Sequence, residues 1–211
     1  GGKLVASVTT DEPVTFAGYY ELFREETAET ILLTKTLSKG QSHVFVNKSV
    51  DIQEVAMDAS SSSARTFDYA IYNADGDGYA QQRDATGSSK TVPAGGKLVV
   101  TVTSEDPVTF NAFRSWFEEQ DSKQPALFKQ SIYPGETYAF VNTSQWTSSV
   151  DIEGTGRKVS YRLYDQNGAL IRENTDSVAN TLSTPAQGKL VVTVTGDSPV
   201  VVSGYHEHFM V

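Results

Sequence analysis

The stretch GGKLVVTVTSEDPVTFNAFRSWF, residues 95–117, decides the fold by the alternation of its side chains. Apolar residues recur at Leu98, Val100 and Val102, and this period of two, rich in β-branched residues, is typical of a half-buried β-strand. TSEDPV interrupts the alternation, with Pro107 suited to the first central position of a turn, and the alternation resumes after it. The pattern predicts a β-hairpin.

The same segment occurs three times. It returns as GGKLVASVTTDEPVTFAGYYELF (1–23) and as QGKLVVTVTGDSPVVVSGYHEHF (187–209). Between these copies, KGQSHVFVNKSVDI (39–52) matches PGETYAFVNTSQWTSSVDI (134–152). A period of roughly 90 residues indicates repeated domains, since solenoid units are shorter.

Short alternating segments bounded by Gly, Asn, Asp or Pro are typical of antiparallel β-sandwiches. We therefore predict an all-β fold made of two tandem, related antiparallel β-sandwich modules of jelly-roll-like build. The 211 residues leave room for two modules of about 100 residues each.

The module boundaries are expected in two polar stretches, FREETAET (23–30) and FEEQDSKQPA (117–126), which predict linkers or short helical turns. Cutting there gives modules at 27–118 and 119–211. Residues 1–25 then match the closing hairpin of a preceding repeat. The opposite division begins each module at the repeated segment and leaves residues at the C-terminus unassigned.

Composition excludes several partners and sites. The formal charge of −9 and the absence of long apolar runs predict neither nucleic-acid binding nor membrane insertion. With no cysteine, the chain has no disulfide, thiolate zinc site or cysteine nucleophile. Because the sequence opens inside a strand-like segment, we expect it to be part of a longer multi-module chain.

One acidic stretch, YNADGDGYAQQRD (72–84), resembles a calcium loop. Asn73, Asp75, Asp77 and Asp84 fall at the first, third, fifth and twelfth positions, where such loops place oxygen ligands. The sequence therefore offers calcium as a possible cofactor.

The flanks of this stretch favour a simpler interpretation. Phe67, Tyr69 and Ile71 alternate as a strand, whereas a helix enters an EF-hand loop. In the second copy, YDQNGALIR places Asn167-Gly168, a common tight hairpin turn, at the same point. We expect a solvated hairpin turn, with no metal and no cofactor favoured.

Exposed aromatic rings are the remaining candidates for ligand contact. Trp116 and Trp146 lie near segment ends, Tyr20 occupies a related position, and Arg114 interrupts the apolar face beside Trp116. Such rings can stack on sugars or anchor a protein partner. The alternative is that they pack in the core or between modules.

Catalytic and metal motifs are weak throughout. No G-x-S-x-G elbow or phosphate-binding loop occurs, so we predict that the chain is not an enzyme. His206 and His208 share one strand face, a geometry that can hold a metal, but no third ligand is evident in the sequence. A surface pair is the favoured interpretation.

The order of segments pGxxYxFVN, VDI, sYrLYDqNGaLIrE and tPaxGKLVVTVTgdsPVvvsgY resembles bacterial pre-peptidase C-terminal domains. It also resembles, more loosely, jelly-roll carbohydrate-binding modules. The resemblance implies a non-catalytic extracellular or cell-surface module of a bacterial protein, with a glycan or protein partner and an adhesive role. We expect recognition of carbohydrate or a surface polymer. The alternative is a structural spacer or protein–protein interaction repeat of a larger surface protein.

Overall fold

A computed structural model describes residues 4, 6, 13–17, 31–59 and 64–211. Most of the predicted hairpin at 1–25, Tyr20 included, lies outside the described residues. The described chain forms β-strands at Leu32–Leu37 (β1), Ser42–Asn47 (β2), Gln53–Ala59 (β3), Phe67–Tyr72 (β4), Gly78–Ala85 (β5), Gly87–Val92 (β6), Lys97–Val102 (β7), Val108–Phe113 (β8), Phe117–Ser122 (β9), Leu127–Ile132 (β10), Thr137–Asn142 (β11), Ser148–Glu153 (β12), Val159–Tyr164 (β13), Leu170–Ser177 (β14), Thr181–Thr184 (β15), Lys189–Val194 (β16), Val200–Tyr205 (β17) and Phe209–Met210 (β18).

The strands form four antiparallel sheets. The orders are β1-β8-β3-β6 and β5-β4-β7-β2-β9, followed by β10-β17-β12-β15 and β14-β13-β16-β11-β18. We call the first two sheets the first sheet pair and the last two the second sheet pair. In each, the pairings are nested, the first strand with the eighth, the second with the seventh, the third with the sixth and the fourth with the fifth. This is the path of a jelly roll.

Each sheet pair encloses one apolar core between its two sheets. In the first, Phe45, Phe67 and Phe110 are fully buried and their rings are in contact. In the second, Phe140 packs on Phe128 with ring centroids 5.5 Å apart. The predicted all-β antiparallel sandwich is therefore confirmed, while the division into tandem modules stays a prediction.

The predicted hairpin across TSEDPV is wrong. β7 pairs with β2 and β4, whereas β8 pairs with β1 and β3 in the opposite sheet. The loop crosses the sandwich, and both strands place alternate residues in the same core, such as Val100 and Phe110. A period of two records burial on one face and does not distinguish pairing from crossing.

The stretch 117–126, predicted to be a linker or helical turn, instead contains an edge strand. β9 pairs with β2 from Asn47↔Phe117 to Ser42↔Ser122, so the predicted boundary between residues 118 and 119 falls inside a strand. Backbone pairing holds this strand, and its acidic side chains are exposed. Charged side chains on an edge also disfavour pairing with another chain.

One side-chain network recurs in both sheet pairs. Asn47 is fully buried and donates to the carbonyls of Asp51, Val92 and Pro93 at 2.8–3.0 Å. Asn142 in the second pair donates in the same way to carbonyls of Trp146, Thr184 and Pro185. Asn47 therefore joins the β2–β3 loop to the β6–β7 turn, and Asn142 joins the β11–β12 loop to the β15–β16 turn.

Candidate ligand-binding cleft between the sheet pairs

The acidic segment forms the turn of the β4–β5 hairpin. The Asn73 N–H donates to the Asp77 carbonyl at 2.8 Å, and Gly76, with φ +90°, donates to the Asn73 carbonyl. Asp84 lies near the other end of β5, which at the rise of a strand is about 20 Å away. The predicted hairpin is confirmed, and the structure does not bring the four candidate calcium ligands, Asn73, Asp75, Asp77 and Asp84, together.

The aromatic candidates lie on different sheet pairs. Trp116, in the β8–β9 turn, is half-buried against the core and edge-on to Phe113, with ring centroids 4.6 Å apart. Trp146 is half-buried in the β11–β12 loop, and Arg114 is exposed. Among the described residues, no ring contact joins the two indoles. They therefore do not form one stacking surface.

The two sheet pairs pack together through the outer face of β2, β4 and β7. Tyr72 and Tyr205 meet there with ring centroids 5.2 Å apart, and the Ala126 N–H donates to Thr101 Oγ1 at 2.8 Å. The buried apolar cluster at this contact consists of Val44, Ala70, Tyr72, Val99, Ala126, Leu127 and Tyr205. Burial of this cluster holds the second sheet pair against the first.

His208 joins the acidic hairpin to the second sheet pair. It is 4% exposed, its Nε2 lies 2.9 Å from the Gly76 carbonyl oxygen and its Nδ1 bonds Ser148 Oγ. The favoured expectation of a surface histidine pair is therefore wrong for His208, because the neighbouring sheet pair covers it. Across the described residues, no group of three or more His, Cys, Asp or Glu is placed to hold a metal.

Three ion pairs cross the same contact. They are Lys97–Glu207 at 2.7 Å, Arg83–Glu153 at 3.2 Å and Lys129–Asp68 at 2.6 Å. Asp68 is buried and its other oxygen accepts the Asp84 N–H at 3.0 Å. Removing Lys129 would leave a buried carboxylate without its cation, which is a costly arrangement.

A polar cleft of about 330 Å³ opens beside this contact, between β5 of the first sheet pair and β12 of the second. Tyr79 stands at its edge with 58% of its surface exposed. The residues that line the cleft are Gly78, Tyr79, Gln81, Thr147, Ser148, Ser149, Asp151, Thr181 and Tyr205. An exposed aromatic ring, that of Tyr79, with hydroxyl and carboxylate groups near it is suited to a neutral, polar ligand.

Hydrogen bonds fix the polar groups of the cleft. Gln81 Nε2 donates to the Ser149 carbonyl and to Asp151 Oδ2, each at 3.3 Å. Thr181 donates its hydroxyl to Asp151 Oδ1 at 2.8 Å. Gln81 Oε1 is buried and has no hydrogen-bond partner among the described residues, so within the cleft this side chain acts through its Nε2 donor, which orients Asp151.

Burial perturbs the tyrosines of the contact. It raises the pKa of Tyr205 above its ordinary value, and the nearby carboxylates of Asp77 and Asp151 raise it further. Burial also raises the pKa of Tyr72, with Glu207 adding to the effect. The Tyr205 phenol at the cleft is therefore a neutral hydroxyl at physiological pH.

A second cavity, of about 700 Å³, lies elsewhere along the contact and is more apolar. Phe128 and Leu127 line it together with Lys129, His206 and Asp84. The Lys129–Asp68 ion pair lies on this side of the contact.

His43 is a further buried titratable side chain. It is 1% exposed on the inner face of β2, with Glu119 Oε2 3.3 Å from its Nε2 and Lys35 near it. Burial lowers the pKa of His43, and the Lys35 charge lowers it further, while Glu119 and Asp121 raise it. The imidazole is therefore neutral at physiological pH and acts as a core residue.

Sequence reasoning named Trp116, Trp146, Tyr20 and Arg114 and missed the residues of the cleft, Tyr79, Gln81, Asp151 and Thr181. Gln81 and Asp151 are 70 residues apart in the chain and meet only where the two sheet pairs are in contact. The available signal was Tyr79, an aromatic residue two positions after Asp77 of the acidic turn and close to the polar Gln81 and Gln82.

No family model and no curated protein matches the chain. Among solved structures it is similar to Bacillus subtilis oxalate decarboxylase, in a study of its Mn(II) centres, at 10% identity and a TM-score of 0.32. That match covers 83% of this chain and 68% of the other. An arginine-to-alanine variant of the same enzyme matches at 9% identity, with equal coverage and TM-score. Likeness this low carries no argument about activity or metal.

The described residues contain no helix that is both long enough and apolar enough to cross a membrane.

Proposed function

We propose that this chain is a non-catalytic binding unit that recognises carbohydrate or another hydroxyl-rich surface polymer in the cleft between its sheet pairs. The observation that carries this proposal is the combination of exposed Tyr79 with the Asp151 carboxylate, which Gln81 and Thr181 orient by hydrogen bonds. A sugar ring can stack on the phenol while its hydroxyls bond the carboxylate.

The lining of the cleft supports binding more than hydrolysis. Glycoside hydrolysis normally uses two carboxyl groups on either side of the scissile bond. Asp151 is the only carboxylate in the lining described above, and it already accepts from Gln81 and Thr181. These contacts position it as a hydrogen-bond acceptor for ligand hydroxyls.

We also propose that the two sheet pairs are tandem related modules of an extracellular or cell-surface protein. Their equal strand orders and the recurring asparagine networks at Asn47 and Asn142 support the relation. The net charge of −9 and the resemblance to secreted modules support the location. We propose no resident cofactor for the cleft.

The first experiment is a glycan and polysaccharide array probed with the full chain, in calcium and again in EDTA. Any hit is then titrated with Tyr79→Ala and Asp151→Asn, and each is expected to weaken binding about tenfold, as loss of a stacking or charged contact does. Tyr133→Ala is the matched control, since Tyr133 is also 58% exposed but lies outside the cleft.

Binding that both cleft variants leave intact would place the ligand elsewhere and overturn the proposal. A hit lost only in EDTA would point to the acidic hairpin and calcium. A hit abolished by Trp116→Ala but not by Tyr79→Ala would return the site to the indole that the sequence suggested.

A structural spacer is the second candidate, and the contact between the sheet pairs favours it. The apolar cluster around Tyr72 and Tyr205, together with the ion pairs, is suited to holding two units at a constant angle. A blank array in both buffers would support this function over carbohydrate recognition.

A further inference from the structure

The outer face of the sheet β14-β13-β16-β11-β18 has no partner among the described residues, and we call it the β16 face. It is defined by Ala139, Val141, Tyr164, Lys189 and Val191, and the polar residues Thr137, Thr193 and Arg162 flank these five on the same side. All five are exposed or half-buried, although three of them are apolar aliphatic side chains and one is aromatic. An uncovered sheet face of this composition is suited to contact with another protein.

The chain shows what covers the equivalent face of the first sheet pair. There Val44 and Val99 are buried under Ala126, Leu127 and Tyr205 of the second sheet pair. This contact is heterologous, because the sheet face of one unit meets the end of β10 and β17 of the next.

The register aligns the two faces residue by residue. Ala70↔Val99 in the first sheet pair corresponds to Arg162↔Val191 in the second. The flanking pair also corresponds, since Lys97 lies 4.9 Å from the Tyr72 ring centroid and Lys189 lies 4.8 Å from that of Tyr164.

One difference concerns charge. Arg162 stands where the first sheet pair has Ala70, and its Nε donates to Glu173 at 2.7 Å, with both side chains exposed. This pair is neutral overall, and Arg162 lies directly beside Val191 in the register, on the side of β16 away from Val141. An occupant would need to contact it with polar atoms.

A second copy of the chain carries a surface at the corresponding position in its first sheet pair. Leu32↔Phe113 in its first sheet pair corresponds to Leu127↔Tyr205 in the second. Trp116, in the turn after Phe113, takes the place of His208. The backbone N–H of Trp116 donates to the Phe113 carbonyl, as the backbone N–H of His208 donates to the Tyr205 carbonyl. Leu32, Phe113 and Trp116 are all half-buried.

We propose that the β16 face docks the Leu32–Phe113–Trp116 surface of a second copy, repeating between molecules the contact that joins the two sheet pairs within one. The resulting assembly is head-to-tail. Each copy binds one neighbouring copy through its β16 face and another through its Leu32–Phe113–Trp116 surface. The assembly therefore grows without a two-fold axis. This proposal is independent of ligand binding in the cleft.

The test is sedimentation velocity on the full chain up to about 1 mM, a range that detects even weak protein contacts. The wild type is expected to gain mass with concentration. Val191→Glu on the β16 face, and Leu32→Glu on the opposite surface, should each weaken self-association by about tenfold or more, because a carboxylate would be buried without a partner. Val178→Glu is the control, since Val178 is 66% exposed and lies outside the face.

Mixing gives the decisive result. Val191→Glu keeps an intact Leu32 surface and Leu32→Glu keeps an intact β16 face, so an equal mixture is expected to form a dimer that grows no further. Thermal melts confirm folding, and Trp116→Ala replaces Leu32→Glu if the latter is unfolded. A wild type that stays monomeric, a mixture that does not dimerise, or a Val178→Glu variant that fails to associate would overturn the proposal.

Discussion

The hexapeptide KLVVTV occurs twice, as β7 and as β16, and the two copies have different surroundings. In β16 it alternates between buried and accessible residues, as a strand with one face in a core does. In β7 every residue after Lys97 is buried, because the second sheet pair covers the outer face. Identical sequence thus has two environments, set by what packs on the sheet.

This difference shows which part of the burial is local. The core-facing positions are buried in both contexts, namely Leu98, Val100 and Val102 in β7 and their counterparts Leu190, Val192 and Val194 in β16. The outer-facing Val99 is buried only because of residues more than twenty positions further along the chain, as the bond from Ala126 to Thr101 illustrates. Burial of the inner face of β7 therefore follows from the alternation in its sequence, and burial of its outer face follows from the packing of the second sheet pair on it.

The largest expected effect is a difference in stability between the same substitution made in β7 and in β16. Val99→Glu buries an unpaired carboxylate and is expected to lower the free energy of unfolding by about 3 kcal/mol or more. The same change at Val191 should cost within about 0.5 kcal/mol in dilute solution, where its outer face meets water. Urea unfolding followed by tryptophan fluorescence measures both.

Equal losses from the two glutamate variants would show that the second sheet pair does not cover β7 in solution. Thr193→Glu, also on the accessible side of β16, is a further control and should resemble Val191→Glu.

Local rules predicted the strands well. The alternation around Phe67 and Ile71 indicated β4, and the turn residues between β4 and β5 indicated a hairpin, both of which the structure contains. The same rules failed at β7 and β8, because a loop that crosses a sandwich has the same Pro and Asp as one that reverses within a sheet. They failed at β9 because backbone pairing at an edge needs no apolar side chain.

The candidate site was harder to predict, because no single segment contains it. Sequence reasoning selected Trp116 and Trp146 by residue type, but packing in each sheet pair half-buries both. The cleft instead depends on Tyr79 and Asp151, which belong to different sheet pairs. Only the docking of one sheet pair on the other brings such residues together.

A smaller effect is expected where the two sheet pairs differ at one position. Gly78 pairs with Tyr72 as Leu170 pairs with Tyr164. A Cβ at Gly78 would stand 2.6 Å from the Tyr205 ring, so glycine is required for the close approach. Gly78→Leu is expected to destabilise the chain by about 1–3 kcal/mol through overpacking.

The reciprocal change tests the same point. Leu170→Gly removes a side chain that is 52% exposed, and we expect a loss within about 1 kcal/mol, the ordinary cost of glycine in a strand. Calorimetric melting of the two variants measures the difference. A Gly78→Leu variant as stable as Leu170→Gly would mean that β5 and β17 are further apart than the structure places them.

The smallest effect concerns pH and the tyrosines of the contact. Burial raises the pKa of Tyr72 above its ordinary value. Below about pH 10 the unfolded and folded states both keep the proton. Above it the unfolded chain loses its proton first, so the free energy of unfolding falls as the pH rises toward the folded-state pKa.

Tyr72→Phe should change stability at neutral pH by about 1 kcal/mol or less and should flatten this alkaline slope. Tyr164→Phe, the same change on the uncovered β16 face, is the control for the loss of one tyrosine hydroxyl. Urea midpoints between pH 8 and about 11 measure these slopes. Equal slopes for Tyr72→Phe and the wild type would show that the Tyr72 hydroxyl is hydrated, and the contact between the sheet pairs would then be open at that point.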